Sequence, residues 1–306
     1  MLLSIPTIDL SAPAEVSAAA IAEASGKWGF FQVVNHGLPL EKRRRFMSQM
    51  IAFFGITPSE KQLVRRSMNN AMGFYDNELT KNTRDWKEIF DLGSDLRDPD
   101  HPATSQWPAA LPEFKQAMLD WFFACETLAL TILAALCREL KQPEDALVGS
   151  FLPRNTSFLR LNYYPPCDQT GIYGENPKVL GINRHTDAGA LTVLVQDEVP
   201  ALQVKHAGGW STVIPEPGGA IINIGDMLQV WSNDRYLAAE HRVLANPKAA
   251  RYSAPYFLNP ATSAAVHPLT SPARYHSINW GEYRRARADG DYGDFGEEIQ
   301  ISQFRC

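Results

Sequence analysis

The chain has 306 residues, of which 45% are hydrophobic and 21% are charged, so it can bury a substantial core and has an ordinary globular composition. Its net charge of −5 argues against a nucleic-acid-binding surface, which would need an excess of basic residues. The four cysteines show no disulfide spacing and no signal peptide is apparent, so we expect a protein of the reducing cytoplasm.

The first half, residues 1–150, is predicted to be a mostly helical N-terminal region. Its longest apolar run, residues 121–137, contains Glu126 and two threonines, which indicates a buried amphipathic helix and not a membrane span. An irregular stretch is expected between the two longer helices. The predicted elements are a strand over 5–10, a helix over 14–25, a strand over 29–34, and longer helices over 41–54 and 112–140.

The second half, residues 151–306, changes character, because short strand-like runs alternate with Gly, Pro, Asn and Asp. This pattern predicts a sandwich or barrel of antiparallel strands, and hence a mainly β fold with flanking helices. Residues 275–306 are expected to form a final helix that folds back over the barrel, or to be partly mobile. The predicted strands cover residues 157–164, 191–196, 202–205, 219–224, 241–244 and 252–258.

Two histidines and one aspartate carry the most specific chemistry of the sequence. His185 and Asp187 are two residues apart, so on a strand their side chains would point to the same face. A neighbouring strand would supply His241 as a third ligand. Two imidazoles and one carboxylate form the facial triad of non-haem Fe(II) oxygenases, which leaves coordination positions open. The residue types alone do not select iron over manganese, cobalt or zinc.

A candidate acid-binding pair follows ten residues after His241. Arg251 and Ser253 would share one face of a strand. A guanidinium binds a carboxylate through two parallel hydrogen bonds and keeps its charge. The pair is therefore suited to hold the far carboxylate of a keto-diacid that chelates the metal. The alternative is a structural ion pair between Arg251 and a core Asp or Glu.

Several motifs together resemble the plant-type 2-oxoglutarate- and Fe(II)-dependent dioxygenases, the superfamily of isopenicillin N synthase and aminocyclopropane-carboxylate oxidase. The order and spacing of the motifs make the resemblance specific, and it covers nearly the whole chain. The matching segments are residues 5–10, 28–37, 85–88 and 162–167, the run His185-Thr186-Asp187, His241, and the run Arg251-Tyr252-Ser253.

The resemblance implies a double-stranded β-helix, or jelly roll, with helices packed around it. It implies iron bound by the triad, and 2-oxoglutarate held by Arg251 and Ser253 with help from Tyr164 and Asn162. The implied reaction couples oxidative decarboxylation of 2-oxoglutarate to O2-dependent oxidation of a small metabolite. Hydroxylation is the usual outcome, and desaturation and ring closure are others. Ascorbate is implied as a supporting reductant. Neither an obligate protein partner nor a nucleic acid or membrane partner is implied.

Three other functions stay open at this point. Relatives that do not use 2-oxoglutarate also carry the Arg-x-Ser motif, so a 2-oxoglutarate-independent Fe(II) oxidase or oxidative cyclase is the main alternative. The run Asn162-Tyr163-Tyr164 favours the 2-oxoglutarate users. A zinc hydrolase would suit the same ligands, but the sequence lacks a His-Glu-x-x-His helix. A non-catalytic receptor on this fold would usually lack a metal ligand, and all three are present.

Aromatic and amide side chains are the candidates for the substrate pocket. Phe257 and Asn259 have the same strand parity as Arg251, so they are expected to face inward. Phe257, like Phe74, would suit a position in the hydrophobic core as well as one in the pocket wall. The full set of candidates is Phe74, Tyr75, Phe257, Asn259, Trp280 and Tyr283.

Two further residues near the motifs are interpreted as structural. Arg184 precedes His185, so strand alternation points its side chain away from the metal; an acidic substrate would be expected only if it reached the mouth of the pocket. His36 lies in an Asn-His-Gly turn sequence and is not expected to bind the metal.

Overall fold

The computed structural model describes residues 4–81, 83–94, 104–168, 179–292 and 299–306, with side chains up to residue 288 in the fourth range. Six α-helices are present in these ranges, together with 3-10 helices at Val148–Phe151 and Ile301–Phe304. The α-helices are α1 (Ala14–Lys27), α2 (Leu40–Gly55), α3 (Pro58–Leu63), α4 (Phe114–Glu139), α5 (Asp226–Trp231) and α6 (Trp280–Tyr292).

Sixteen strands occur in the described residues, and their bounds lie close to the predicted ones where a strand was expected. They are β1 (Thr7–Asp9), β2 (Phe30–Val34), β3 (Gly73–Tyr75), β4 (Leu79–Thr80), β5 (Thr83–Arg84), β6 (Glu88–Leu92), β7 (Phe158–Tyr164), β8 (Leu180–His185), β9 (Leu191–Gln196), β10 (Leu202–His206), β11 (Gly209–Thr212), β12 (Ala220–Ile224), β13 (His241–Leu244), β14 (Arg251–Leu258), β15 (Ala265–Val266) and β16 (Ile278–Asn279).

Two sheets form the core of the fold. The larger has eight strands in the order β1-β2-β12-β9-β14-β7-β6-β3, and the smaller has four in the order β11-β10-β13-β8. All neighbours are antiparallel except β1 and β2. One cavity is lined by side chains from both sheets, including Ile182 and Val243 of the smaller and Asn223 and Ser253 of the larger. The site therefore lies between the sheets of a jelly roll, as the sequence predicted.

The stretch between the two long helices, predicted to be irregular, instead adds strands to the larger sheet. β6 pairs with β7, with Ile89 opposite Asn162, and β3 pairs with β6. Ile89, Phe90 and Leu92 are all fully buried, so β6 lacks the alternation that marks a half-exposed strand. The first 150 residues thus contribute β1, β2, β3 and β6 to the sheet that also carries the second half of the chain.

A short helix in the same stretch was also missed. The helix α3 begins after Thr57, whose hydroxyl accepts from the Glu60 backbone N–H while the Glu60 carboxylate accepts from the Thr57 backbone N–H. This reciprocal capping box, with Pro58 at the first helical position, is a recognisable start signal, and it was available in the sequence.

The long helix α4 supports the outer face of the larger sheet. By length and hydropathy alone it could cross a membrane, but Trp121, Phe122 and Leu136 are among a dozen of its residues that are buried. It packs against α1, α2, β9 and β14, and Trp121 stacks on Phe46 with ring centroids 5.1 Å apart. Its apolar composition is therefore used in the core, and the opposite face of the sheet is left for the cavity.

The final helix α6 folds back over the barrel. This is the first of the two structures expected for residues 275–306, the other being a partly mobile segment. The Trp280 indole N–H donates to the Thr156 hydroxyl at 2.8 Å, and the Tyr283 hydroxyl donates to Asp226 at 2.8 Å. The Arg287 guanidinium donates to the Thr186 carbonyl at 2.8 Å. The bond from Arg287 attaches the helix to the loop that contains Asp187.

Candidate metal centre

The three predicted metal ligands converge at one end of the smaller sheet. His185 ends β8, His241 begins β13, and the two residues are direct partners in the antiparallel ladder. Asp187 Oδ1 lies 3.6 Å from the Nε2 atoms of both His185 and His241. Together these form a group of three donors within 4.8 Å of one another at the wall of the cavity. Two neutral nitrogens and one carboxylate oxygen with an open side fit a ferrous ion.

The predicted shared strand for His185 and Asp187 is wrong, although their side chains do converge. β8 ends at His185, and Asp187 lies in the loop that follows. The N-terminal end of α5 holds this loop: the backbone N–H of Asp226 donates to the Asp187 carbonyl at 2.8 Å, and that of Met227 donates to the Gly189 carbonyl at 3.0 Å. A helix, and not the pleat of a strand, therefore positions the carboxylate.

This loop requires glycine where two backbone segments meet. A Cβ atom on Gly225 would lie 2.2 Å from the Gly189 carbonyl oxygen and 3.1 Å from the Asp187 carbonyl oxygen. Only a glycine permits that approach without moving the loop.

Two polar residues that sequence reasoning missed set the orientation of the Asp187 carboxylate. Asp187 Oδ2 accepts from the Thr192 hydroxyl at 2.5 Å and from the Asn223 side-chain amide at 2.7 Å. Oδ1 is left facing the two histidines, which favours a single-oxygen contact with a metal. The available signal was a polar residue within each of two largely apolar strands, Thr192 in β9 and Asn223 in β12.

Backbone carbonyls orient both imidazoles. His185 Nδ1 lies 2.8 Å from the Asn183 carbonyl oxygen and His241 Nδ1 lies 3.1 Å from the Ala239 carbonyl oxygen. With Nδ1 donating, each Nε2 presents a lone pair to the metal position. Burial, together with the neighbouring His241, lowers the pKa of His185 below its usual value, which favours the neutral imidazole that a metal ligand must be.

A buried ionic network supports His185 from behind. Both the backbone N–H and the side-chain amide of Asn183 donate to Asp85 Oδ1 at 3.0 Å. The other oxygen of Asp85 accepts from the Thr80 hydroxyl at 2.7 Å and lies 3.3 Å from Lys87 Nζ. Lys87 also pairs with Glu78 at 2.7 Å. Asp85, from the motif at residues 85–88, thus holds Asn183 in place, and the Asn183 carbonyl in turn orients His185.

We expect Asp85→Asn to lower Fe(II) affinity about 10- to 100-fold, the usual effect of losing a group that orients a metal ligand. The physical reason is that an amide in this position cannot accept from both Asn183 donors and also neutralise Lys87. Anaerobic Fe(II) titration measures the effect. Asp91→Asn is the matched control, because Asp91 pairs with Arg160 in the same network without contacting Asn183. An equal loss in both variants would show that the network acts only on stability.

The predicted acid-binding pair lies on the wall of the same cavity. Arg251 is 1% exposed and donates to Gln196 Oε1 at 2.6 Å and to the Ser253 hydroxyl at 3.3 Å. The Tyr164 hydroxyl is 3.4 Å from that of Ser253, and the Tyr164 ring lies 5.0 Å from the Arg251 guanidinium carbon. Asn162 is buried beside them on β7 and also lines the cavity.

The structural ion pair considered for Arg251 is not found among the residues that the structure describes, where no carboxylate lies within 4 Å of its guanidinium nitrogens. In addition, Arg251 Nε, Asn162 Oδ1 and Gln196 Nε2 are buried without a hydrogen-bond partner. A buried cation that makes no direct ion pair is costly, so this pocket is suited to receive an anion. The donor set therefore fits the distal carboxylate of 2-oxoglutarate.

The cavity has a volume of about 910 Å³. The substrate candidates Tyr75, Phe257, Asn259 and Trp280 line it. Of the remaining candidates, Phe74 is a core residue packed near Phe53 and Tyr283 bonds to Asp226, and neither lines the cavity.

The two residues interpreted as structural lie outside the cavity. The Arg184 side chain is 65% exposed, with Glu240 at 3.8 Å, so it is not the residue that would bring an acidic substrate to the site. His36 lies 2.9 Å from the Gly218 carbonyl oxygen, away from the triad.

Comparisons with known proteins decide the family. Residues 155–260 match the model of the 2OG-Fe(II) oxygenase superfamily, and residues 5–113 match that of the non-haem dioxygenase N-terminal region in morphine synthesis. The chain is 31% identical over 288 residues to gibberellin 2-beta-dioxygenase 8 of Arabidopsis thaliana. The matched residues cover 93% of this chain and 80% of the relative. The chain belongs to the 2OG-Fe(II) oxygenase superfamily.

Other members of the superfamily extend the similarity. Feruloyl CoA ortho-hydroxylase 2 of Arabidopsis thaliana is 34% identical over 275 residues, 87% of this chain and 72% of the relative. The structure of JOX2 in complex with 2OG, Fe and JA has a TM-score of 0.82 at 30% identity, covering 92% of this chain and 84% of that one. T7H of Neurospora crassa with alpha-KG and thymine has a TM-score of 0.83 at 27% identity, covering 94% and 97%.

These findings confirm the predicted fold, family, enzyme class and cofactors. The protein is an Fe(II)- and 2-oxoglutarate-dependent dioxygenase of the oxidoreductase class. It couples oxidative decarboxylation of 2-oxoglutarate to O2-dependent oxidation of a small molecule.

Proposed function

We propose that this oxygenase hydroxylates a small-molecule metabolite, with Fe(II) bound by His185, Asp187 and His241 and with 2-oxoglutarate held by Arg251 and Ser253. The observation that carries the proposal is the pairing, in one cavity, of an open-sided ligand triad with a buried arginine that has no carboxylate partner among the described residues. Tyr164 and Asn162 complete the polar pocket around that arginine.

The register of β14 supports an assignment of where 2-oxoglutarate and the substrate lie relative to the metal. Arg251, Ser253 and Phe257 share strand parity and line the cavity in that order. Ser253 pairs with Gln196, which contacts Arg251, whereas Phe257 pairs with Thr192, which binds Asp187. The metal position is therefore at the Phe257 end of the strand. We infer that 2-oxoglutarate extends from the metal towards Arg251 and that the substrate occupies the Phe257 side.

The residues of the chain bind, orient and exclude water, and the cofactors supply the oxidising chemistry when bound. Thr192 and Asn223 hold the carboxylate ligand in one orientation, so the remaining metal positions face the cavity. Helix α6 forms one wall of the cavity, which Trp280 lines. Arg287 of the same helix donates to the Thr186 carbonyl in the loop that contains Asp187. A wall of this kind keeps the reacting groups away from bulk solvent.

A small substrate is supported by the size of the cavity, which lies within the range of typical small-molecule sites. Hydroxylation is supported by the feruloyl CoA ortho-hydroxylase relatives. We further propose that the enzyme works in the cytoplasm without an obligate protein partner. The thiols of Cys125, Cys137 and Cys167 are buried and unpaired, which suits a reducing compartment.

The experiment that tests the proposed site is an anaerobic titration with Fe(II) followed by 2-oxoglutarate. We expect one equivalent of iron to bind, and a visible metal-to-ligand charge-transfer band to appear when the keto acid is added. Succinate, which lacks the keto group, is the matched control and should give no band. Iron binding without a band would contradict the proposed role of Arg251 in binding 2-oxoglutarate. Arg251 would then be reassigned to the carboxylate of another ligand.

A further inference from the structure

The backbone on both sides of the Asp187 α-carbon is held, and by two different helices. The Thr186 carbonyl, which precedes that α-carbon, accepts from the Arg287 guanidinium of α6 at 2.8 Å. The Asp187 carbonyl, which follows it, accepts from the Asp226 backbone N–H of α5 at 2.8 Å. Each residue has only two soft backbone dihedrals, so fixing the peptide groups on either side fixes both. The two bonds thus set the direction in which the Asp187 side chain leaves the backbone.

A second set of contacts joins the two holding residues to each other. The Tyr283 hydroxyl donates to Asp226 Oδ2 at 2.8 Å, and Arg287 Nη1 lies 3.7 Å from the same oxygen. All three side chains are buried, and at most 6% of any of the three residues is exposed. Shielding from water strengthens such polar contacts. We call Asp226, Tyr283 and Arg287 the helix clamp, because they hold α5, α6 and the metal loop together.

The helix clamp is close to a wall of the cavity. Tyr283 and Arg287 are four residues apart, so they are neighbours on one face of α6. Trp280, about two turns of helix before Arg287, lines the cavity, and its indole N–H donates to the Thr156 hydroxyl at 2.8 Å. The same short helix therefore carries part of the cavity wall and a contact to the metal loop.

The first turn of α6 is attached to the fold independently of the helix clamp. The backbone N–H of Trp280 donates to the Ala264 carbonyl at 3.0 Å, and that of Gly281 donates to the Thr262 carbonyl at 3.1 Å. A Cβ atom on Gly281 would lie 2.7 Å from the Thr262 carbonyl oxygen, so the two backbones are in close contact. Weakening the helix clamp would therefore loosen the later turns of α6 while its first turn stays attached.

We propose that Asp226, Tyr283 and Arg287 are positioning residues for the metal ligand Asp187, and that they couple the binding of Fe(II) to the docking of α6. This inference rests on the proposed function, because it takes Asp187 as a ligand. The coupling acts in both directions. A docked helix tightens iron binding, and bound iron stabilises the docked helix by the same factor. The wall that contains Trp280 is thus held most firmly when the metal is bound.

The Fe(II) affinity of Tyr283→Phe, measured by anaerobic titration, tests the first direction. The variant keeps the ring and removes the hydroxyl that donates to Asp226, so we expect the dissociation constant of iron to rise about tenfold. Tyr275→Phe is the matched control. Tyr275 is buried, and its hydroxyl donates to Asp234, outside the metal loop and the helix clamp. Equal iron affinities in the two variants would overturn the proposal, because the hydroxyl would then act only on stability.

Amide hydrogen exchange of the wild type tests the other direction and needs no variant. We expect anaerobic Fe(II) to slow exchange in residues 283–288 about tenfold or more relative to the apo-protein. This protection should be reduced in Tyr283→Phe and retained in Tyr275→Phe. Iron that leaves exchange in these residues unchanged would overturn the proposal. Binding of one equivalent of Fe(II) by the wild type, and its loss in Asp187→Asn, would show that the proposed function stands even then.

Discussion

Replacing Asp187 by Asn is expected to lower Fe(II) affinity by a few hundredfold or more and to stop turnover. Asp187 is the only carboxylate of the triad, it is buried, and its Oδ1 faces the two imidazole rings. Removing one partner of a buried charge pair costs about 3–5 kcal/mol. Anaerobic Fe(II) titration measures the affinity, and a thermal melt of the apo-protein shows whether the variant is folded.

The variant Thr192→Val supplies the graded comparison for this result. It leaves the carboxylate in place but removes the 2.5 Å hydrogen bond to Oδ2. Iron affinity should fall by about 10- to 100-fold, well short of the Asp187→Asn effect. If Asp187→Asn bound iron as tightly as the wild type, Asp187 would have to be removed from the metal site.

Replacing Arg251 by Gln is expected to raise the dissociation constant of 2-oxoglutarate about 100-fold or more, while Fe(II) affinity stays close to that of the wild type. Two charge-assisted hydrogen bonds from a buried guanidinium contribute about 1.5–3 kcal/mol each. Titration of 2-oxoglutarate into the iron-loaded protein, followed by the charge-transfer band, measures the change. Arg251→Lys should be intermediate, because it keeps the charge and loses the planar fork.

Stability gives a second and independent readout of the Arg251 assignment. Since Arg251 is a buried cation without a carboxylate partner among the described residues, the apo-protein should not be destabilised by Arg251→Gln. The rise in melting temperature that 2-oxoglutarate produces in the iron-loaded wild type should be lost. A destabilised variant that still binds 2-oxoglutarate normally would show that Arg251 is structural and supports Gln196.

The local features of this protein were readable from its sequence. Strands β9 and β13 have the predicted bounds, because short β-rich runs between turn residues are a local pattern. The proposed metal ligands and the pair Arg251 and Ser253 were predicted from residue type and spacing, which need no knowledge of the fold, and the structure brings them into one cavity. The burial of β6 on both faces removed the alternation on which strand prediction depends, so its membership of the large sheet was missed.

Contacts between distant segments were decided by the tertiary structure alone. Asp85 and Asn183 are 98 positions apart and meet only because the β4–β5 hairpin lies against β8. Asp187 is aimed by α5 and by side chains of β9 and β12, and no spacing rule relates these elements. Trp280 reaches the cavity because α6 folds back across the barrel. The sequence thus determined which chemistry the chain carries, whereas packing between distant elements determined how its ligands are aimed and what surrounds them.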